Sequence, residues 1–282
     1  MGAEPDVGTV GMKVFPIERT AATAPRAILG VNATNIARGQ LARAGLMAPR
    51  IVEHEHEAAC ARALAQVVAD LLNLGVDARG TASLVVSGGR TPARFLKVLG
   101  GLPVDWSAVV VTLADERWVP ETHPDSNARL LQETLFANGA SKARFLSLKS
   151  EHRAAQEAEP AIEARLRAIE PPFDAVVLGM GTDGHTASLF PDAPGLRGAL
   201  CPPEGAHCRA MRSPSAPHDR MTLTLPALID AREVFVHLVG PVKWRVLQQA
   251  LGGRDVEAMP IRGVLFQEQV PVSIYYAAEE LR

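Results

Sequence analysis

The sequence has few cysteines, no excess of charge of either sign and no long apolar run. Three cysteines in 282 residues are too few for a disulfide framework and predict a reducing compartment, the cytoplasm. Lys plus Arg total 29 and Asp plus Glu total 31, a formal net charge of −2. Because no excess of positive charge favours nucleic acid or an anionic membrane, we expect neither as a partner. We find no apolar run of the ~18 residues that a membrane span needs and no secretory signal.

A metal site is also not expected from the sequence. Two cysteines and two histidines lie close together between Cys201 and His218. They lack the paired short spacings that are typical of a zinc site. We therefore predict no metal and no cofactor.

Hydrophobic residues make up 47% of the chain, which is enough for a sizeable core. Predicted strands and helices alternate, which favours an α/β fold with a Rossmann-like, mostly parallel sheet and helices on both of its faces. Residues 49–282 are predicted to form a single domain, and residues 1–48 a disordered or dispensable extension. The predicted strands are 82–86, 108–113, 145–148, 173–178, 221–225, 234–239 and 272–276, and the predicted helices are 53–74 (ended by Gly75), 92–99, 127–136, 154–169 (interrupted at Pro160) and 242–251.

A glycine-rich stretch at 178–191 follows the predicted strand 173–178. Asp183, His185 and Ser188 lie within this stretch, where we expect a helix to begin. Ligands of open α/β sheets bind beyond the carboxyl ends of the strands, and a neutral imidazole can take a proton from water near physiological pH. His185 is therefore the candidate general base. The alternative is that His185 only bonds to backbone in a tight turn while Asp183 caps a helix.

A second glycine-containing turn, 87–92, lies between a predicted strand and a predicted helix. Gly88 and Gly89 can turn backbone N–H groups toward an anion, and the helix N-terminus adds its positive end. Thr91 either caps that helix or donates its hydroxyl to the same anion. This turn is a candidate phosphate site, although an ordinary strand-to-helix turn would have the same composition.

Charged residues follow or flank other predicted strands. Asp115, Glu116 and Arg117 come after strand 108–113, where they form either a wall of the site or a solvated ion cluster. Arg220 and Lys243 are further local cations that could contribute to phosphate binding.

Four motifs follow one another along the chain: Ser87–Pro92, Asp115–Pro120 with His123–Asn127, Gly179–Pro191 and Arg220–Thr224. In this order they resemble the motifs of the 6-phosphogluconolactonases, and the resemblance runs from about Pro49 to the C-terminus. The resemblance implies a fold shared with glucosamine-6-phosphate deaminase. It also implies hydrolysis of 6-phospho-D-glucono-1,5-lactone to 6-phosphogluconate, the second step of the oxidative pentose phosphate pathway, without metal or cofactor.

The same resemblance implies roles for individual residues in the reaction. His185 matches the proposed base of the family, which deprotonates the attacking water, and Asp183 would hold its imidazole or the shape of the turn. Asp115 matches the proton-shuttling acid of the deaminase relatives and in a lactonase need only contact sugar hydroxyls or orient water. Either nearby backbone N–H groups or Arg117 would stabilise the oxyanion.

The resemblance also assigns the 6-phosphate to two parts of the chain. The turn containing Ser87, Gly88, Gly89 and Thr91 would bind it together with Lys243, and Arg220 is an additional candidate. The implied partner is a small phosphosugar lactone, and we expect a monomer or weak dimer.

Two alternative functions use related domains. A glucosamine-6-phosphate deaminase would continue after Asp-Gly-His with residues of the type Ile-Ala-Phe-Asn-Glu-Pro, whereas this chain has Thr186–Pro191, without the acid that supports ring opening. A non-catalytic phosphosugar sensor would carry a basic helix-turn-helix segment. Residues 1–48 show no pair of amphipathic helices, which disfavours the sensor. The missing acid disfavours the deaminase.

Overall fold

The computed structural model describes residues 48–279, and the predicted extension at 1–48 lies almost entirely outside the described residues. Seven parallel strands form the main sheet in the order β1-β10-β9-β6-β2-β3-β5, and three antiparallel strands form a small sheet in the order β4-β8-β7. The strands are β1 Arg50–His56, β2 Ala82–Val86, β3 Val109–Leu113, β4 Asp115–Arg117, β5 Arg144–Leu146, β6 Ala175–Leu178, β7 Cys208–Met211, β8 Arg220–Leu223, β9 Val234–Val239 and β10 Val272–Glu279.

Eight α-helices connect or flank these strands in the described part of the chain. They are α1 Glu57–Arg79, α2 Arg90–Gly100, α3 Asn127–Glu133, α4 Ala155–Leu166, α5 Leu196–Leu200, α6 Leu225–Ile229, α7 Pro241–Leu251 and α8 Ile261–Leu265. Single 3₁₀ turns span Trp106–Ala108, Phe136–Asn138 and Ala140–Lys142.

The central strands are apolar runs because helices cover both of their faces. Every residue of β2, β6 and β9 is buried, as expected for a doubly covered parallel sheet. On β10, Tyr276 packs against Trp244 of α7, with ring centroids 4.6 Å apart. Tyr275 points to the other face, beside His237 of β9, whose ring contacts Phe95 of α2 at 6.1 Å. The predicted fold class is confirmed.

The long helix α1 is apolar enough, by length and composition alone, to cross a membrane. Its apolar stripe is instead part of the core: Cys60, Leu64, Val68 and Leu72 are fully buried. The helix contacts β1, β2 and β10. In this structure α1 therefore packs against the main sheet and forms part of the hydrophobic core.

The start and the end of α1 differ from the prediction. Residues 53–56 are not helical but complete β1, which pairs with β10 along its whole length. Gly75 does not end the helix, which continues to Arg79 and is closed by Gly80 in the left-handed conformation (φ 74°). Gly75 lies against Asp174 and Ala82, where an added Cβ would be only 3.0 Å from either side chain. Close packing therefore explains this glycine.

Two further predictions about helices were wrong. Pro160 does not interrupt α4, which runs unbroken from Ala155 to Leu166. No helix begins at Asp183 or Ser188, because the stretch between β6 and α5 consists of turns. The predicted strand 221–225 is β8, in the small antiparallel sheet and not in the main one.

The order of the strands creates a crevice between β2 and β6. From β2 the chain continues to β3 and β5 on one side, whereas from β6 it continues to β9 and β10 on the other. The turns that leave β2 and β6 therefore diverge. Such a switch point is where α/β sheets of this kind bind ligands.

We expect Gly100→Ala to lower the free energy of unfolding by about 1–3 kcal/mol, because overpacking has that typical cost. A Cβ at Gly100 would overlap the carbonyl oxygen of Leu135, which is backbone and cannot rotate away. Gly101→Ala is the matched control, since its nearest neighbour would be 3.5 Å away. Urea unfolding of both variants tests this packing, and equal midpoints would contradict it.

Candidate active site

A cleft of about 440 Å³ opens at the switch point, beyond the carboxyl ends of β2, β6 and β9. All of the predicted site residues line it except Asp183, which lies directly behind His185. The lining residues from the prediction are Ser87, Gly88, Gly89, Thr91, Asp115, Arg117, His185, Arg220 and Lys243. The structure therefore brings residues from five separate segments of the sequence to one place.

The turn after β6 folds back on itself and so positions His185. The backbone N–H of Gly181 donates to the carbonyl of His185 at 2.8 Å. Gly184 has a φ of 83°, which only glycine adopts readily. A Cβ on Gly181 would occupy the space of the His185 ring and the Asp183 carboxylate. The glycines predicted to make a sharp turn thus serve a close approach between backbone and imidazole.

His185 and Asp183 form a hydrogen-bonded pair. His185 Nδ1 lies 2.6 Å from Asp183 Oδ1, which also accepts the His185 backbone N–H at 3.1 Å. Burial alone would raise the pKa of Asp183, but the bonds from His185 outweigh it and lower the pKa below its usual value. An ionised carboxylate accepts the Nδ1 proton, so Nε2 is the basic nitrogen of the ring.

Hydrogen bonds of Ser188, in the second half of the Gly179–Pro191 motif, connect this motif to the small antiparallel sheet. The Ser188 hydroxyl donates to Asp115 Oδ2 at 2.5 Å, and the Ser188 N–H donates to Thr222 Oγ1 of β8 at 3.2 Å. Ala187, which directly precedes Ser188, has a φ of 48°, a left-handed conformation that is strained for a residue with a Cβ. These bonds to β4 and β8 hold Ala187 in that conformation at the wall of the cleft.

Asp115 is buried and its carboxylate is already engaged. Besides Ser188, it has Arg220 as an ion-pair partner at 3.6 Å. Asn127 donates through Nδ2 to the Asp115 backbone carbonyl at 2.8 Å and lies 3.4 Å from its carboxylate. A carboxylate with this many partners is fixed in orientation, which suits contact with substrate better than proton transfer.

Glu116, which follows Asp115, binds backbone groups at the start of α3. Its buried carboxylate accepts the backbone N–H groups of Arg117, Asn127 and Ala128 at 2.6–2.8 Å and the hydroxyl of Ser126 at 3.1 Å. Burial raises its pKa, and the N–H donors partly oppose that effect. Glu116 therefore anchors the N-terminus of α3 and does not face the cleft.

Two arginines on the cleft wall have donors left over. Among the described residues, Nε of Arg117 and Nε of Arg220 are buried and have no hydrogen-bond partner. Arg117 donates through its terminal nitrogen to the backbone carbonyl of Asp125. Burial lowers the pKa of Arg220, an effect that Asp115 opposes. A buried donor without a partner costs free energy of folding. Both guanidinium groups are therefore suited to donate hydrogen bonds to an anionic or carbonyl oxygen.

Phe190 separates the histidine from one of these arginines. Its ring centroid lies 4.3 Å from that of His185 and 5.6 Å from the Cζ atom of Arg220. Phe190 was not among the predicted site residues. Its aromatic ring is an apolar wall that fixes the orientation of the imidazole.

Two helices begin at the cleft without a side-chain cap. Gly89 (φ 108°) precedes α2 and Gly240 (φ 89°) precedes α7, and neither helix has a side-chain hydrogen bond at its N-cap. Thr91 therefore does not cap α2, which removes one of its two predicted roles. Gly88 is required because a Cβ there would overlap the Asn127 side chain. Uncapped N-termini offer free N–H groups to an anion.

Lys243, in the first turn of α7, connects these helix ends with the histidine turn. Its Nζ atom donates to the Met180 carbonyl at 2.6 Å. Burial lowers its pKa, Asp183 raises it and Arg90 lowers it further. Arg90 also lines the cleft. Arg90 was not among the predicted site residues, although a cation beside a glycine turn is itself a signal for anion binding.

The cysteines and histidines near 201–218 do not gather into a metal site. His207 bonds to Glu163 at 2.5 Å. Cys208 is buried beside Glu159 and Glu163. Burial and these two carboxylates raise the pKa of the Cys208 thiol to about 12. His218 instead lies beside His123 and Asp125 at the rim of the cleft.

Comparisons with known proteins give a consistent result. The model of the family described as glucosamine-6-phosphate isomerases/6-phosphogluconolactonase matches residues 55–272. A 6-phosphogluconolactonase of Pseudomonas aeruginosa is 44% identical over 216 residues, which cover 77% of this chain and 90% of that protein. One of Rhizobium meliloti is 43% identical, covering 79% and 96% respectively.

Solved structures agree with these sequence relatives. The crystal structure of a 6-phosphogluconolactonase from Shewanella baltica superposes with a TM-score of 0.80 at 43% identity, covering 83% of this chain and 99% of that one. A monomeric glucosamine-6-phosphate deaminase superposes with a TM-score of 0.66 at 16% identity. At that identity the second match shows a shared fold alone.

Proposed function

The chain belongs to the glucosamine-6-phosphate isomerase/6-phosphogluconolactonase family, and we propose that it hydrolyses 6-phospho-D-glucono-1,5-lactone to 6-phospho-D-gluconate in the oxidative pentose phosphate pathway. The observation that carries this proposal is the His185–Asp183 pair, because His185 lines a cleft that also contains the uncapped N-terminus of α2 and the Lys243 side chain. A base beside an anion site suits an uncharged ester ring that carries a phosphate.

In this proposal His185 activates a water molecule. The Nε2 atom takes one proton from this water molecule. At the same time the oxygen of the water bonds to the lactone carbonyl carbon, which forms a tetrahedral oxyanion. When the intermediate collapses, the ring C–O bond breaks and the imidazolium returns the proton to the leaving oxygen. Base catalysis of this kind contributes roughly 10²–10⁴-fold to the rate.

Asp183, Asp115 and Arg117 support that chemistry. Asp183 holds the imidazole tautomer and stabilises the imidazolium. Arg117, whose Nε lacks a partner among the described residues, donates to the developing oxyanion. Asp115, fixed by Ser188 and Arg220, accepts hydrogen bonds from sugar hydroxyls.

In the same proposal, the turn after β2 and Lys243 bind the 6-phosphate. The N–H groups at the start of α2 receive it, with Ser87, Gly88, Gly89 and the Thr91 hydroxyl forming the turn. Lys243 supplies a charge that can leave the Met180 carbonyl for a stronger anionic acceptor. Binding this remote group positions the lactone for attack without joining the chemistry.

The structure also bears on the compartment. All three cysteines of the chain are free, and two of them are buried. This supports our proposal that the enzyme acts in the reducing cytoplasm.

The first test measures loss of freshly generated 6-phosphogluconolactone above its spontaneous rate, with ammonia release from glucosamine 6-phosphate in parallel. We expect rapid lactone loss without ammonia, and a fall in kcat of roughly 10²–10⁴-fold in His185→Asn. Ammonia release would indicate a deaminase. Phosphosugar binding without either reaction would indicate a sensor, and an unchanged rate in the variant would remove His185 as the base.

Lys243→Ala tests the phosphate assignment. A lost charge-assisted hydrogen bond is worth about 1.5–3 kcal/mol, so KM should rise by roughly 10- to 100-fold while kcat changes little. The penalty should shrink at high salt, which screens the lost attraction. Arg245→Ala, an exposed cation on the same helix, is the matched control. A loss confined to kcat would contradict a phosphate-binding role.

A further inference from the structure

Three potential metal ligands meet at the rim of the cleft, outside the catalytic machinery. His123 and Asp125 lie in the connection between β4 and α3, and His218 lies in the connection between β7 and β8. One donor atom from each lies within 4.8 Å of the other two. In this structure the His218 side chain bonds to Asp125, and the two imidazole rings meet edge to face with centroids 5.4 Å apart.

The separations of these donors suit a single ion. His218 Nε2 lies 2.8 Å from Asp125 Oδ2, and His123 Nδ1 lies 3.9 Å from the same oxygen. A tetrahedral ion with bonds of about 2.0–2.2 Å keeps its donors roughly 3.3–3.6 Å apart. The observed distances lie on both sides of that range, so small side-chain rotations bring the three atoms into place.

The backbone around the cluster is already ordered. The N–H of Trp118 donates to the Asp219 carbonyl at 2.7 Å, extending the pairing of β4 with β8 up to the cluster. The Asp125 N–H donates to His123 Nδ1 at 3.1 Å, which marks that nitrogen as unprotonated, the form in which imidazole binds a metal. The ion would replace this bond.

The side chains are also accessible from solvent. His123, Asp125 and His218 remain 38%, 51% and 25% exposed, so an ion can enter and water can complete its coordination. The carboxylate of Asp125 offers an oxygen ligand beside the two imidazoles.

We propose that His123, Asp125 and His218 form a binding site for a divalent late transition metal of the Zn²⁺ class, which joins the two loops at the rim of the cleft. Two imidazoles and one carboxylate favour Zn²⁺, Co²⁺ or Ni²⁺ over Mg²⁺ and Ca²⁺, which prefer oxygen ligands. The site takes no part in the lactone chemistry, and the inference does not depend on the proposed reaction.

The ion would also steady one wall of the cleft. Arg117 donates to the backbone carbonyl of Asp125, and the neighbouring Pro217 lines the cleft. Holding Asp125 and His218 together would therefore restrict both the β4–α3 loop and the β7–β8 loop. The measurable consequence is a higher Tm of the full chain in the presence of the metal.

The test is calorimetric titration of the chelator-treated full chain with ZnCl₂, in a buffer with a phosphine reductant. We expect one site per chain, with affinity reduced at least about tenfold in His218→Ala. His152→Ala, an exposed histidine outside the cluster, should bind as the wild type does. Cys201→Ser, which removes the exposed thiol, should also leave the affinity unchanged.

A second variant and a second probe keep the test decisive. Asp125→Asn should lose affinity as His218→Ala does, and Zn²⁺ should raise the Tm of the wild type but of neither variant. Co²⁺ should give visible absorption bands that both variants lose. No binding by the wild type, or equal binding by His218→Ala and the wild type, would overturn the proposal and leave an ordinary hydrogen-bonded pair.

Discussion

The geometry of the cleft depends on the absence of a side chain at Gly181. The ring of His185 and the carboxylate of Asp183 occupy the space that a Cβ would need. The same residue closes the turn through its N–H bond to the His185 carbonyl. One position thus sets both the path of the backbone after β6 and the orientation of the candidate base, which is why the turn cannot continue into a helix.

A buried polar network extends that control to the rest of the cleft. Ser188 connects the histidine motif to Asp115, and Asp115 in turn contacts Arg220 and Asn127. Asn127 occupies the space beside Gly88, so the network reaches the candidate phosphate turn. Buried hydrogen bonds of this kind restrict the side chains that form them. The cleft therefore presents its charged groups in fixed positions, which is the condition for electrostatic stabilisation of a transition state.

Much of the fold and of the candidate site could be predicted from the sequence, because short apolar runs and glycine-rich turns are local signals. The strands β2, β6 and β9 are of this kind, and the motifs after β2, β3 and β6 do meet in one cleft. What could not be predicted depends on distant contacts. Residues 53–56 form a strand because β10 pairs with them. Glu116 anchors α3, a role that its position beside Asp115 does not reveal.

The central claim is that the turn after β6 holds His185 ready for base catalysis, and kinetics of a pair of glycine variants tests it most directly. Gly181→Ala places a Cβ against the imidazole, whereas Gly179→Ala, in the same turn, meets nothing within 4 Å. We predict a fall in kcat for lactone hydrolysis of at least about 10²-fold in Gly181→Ala, with the unfolding midpoint little changed and Gly179→Ala close to wild type. Equal kcat values in the two variants would contradict the account.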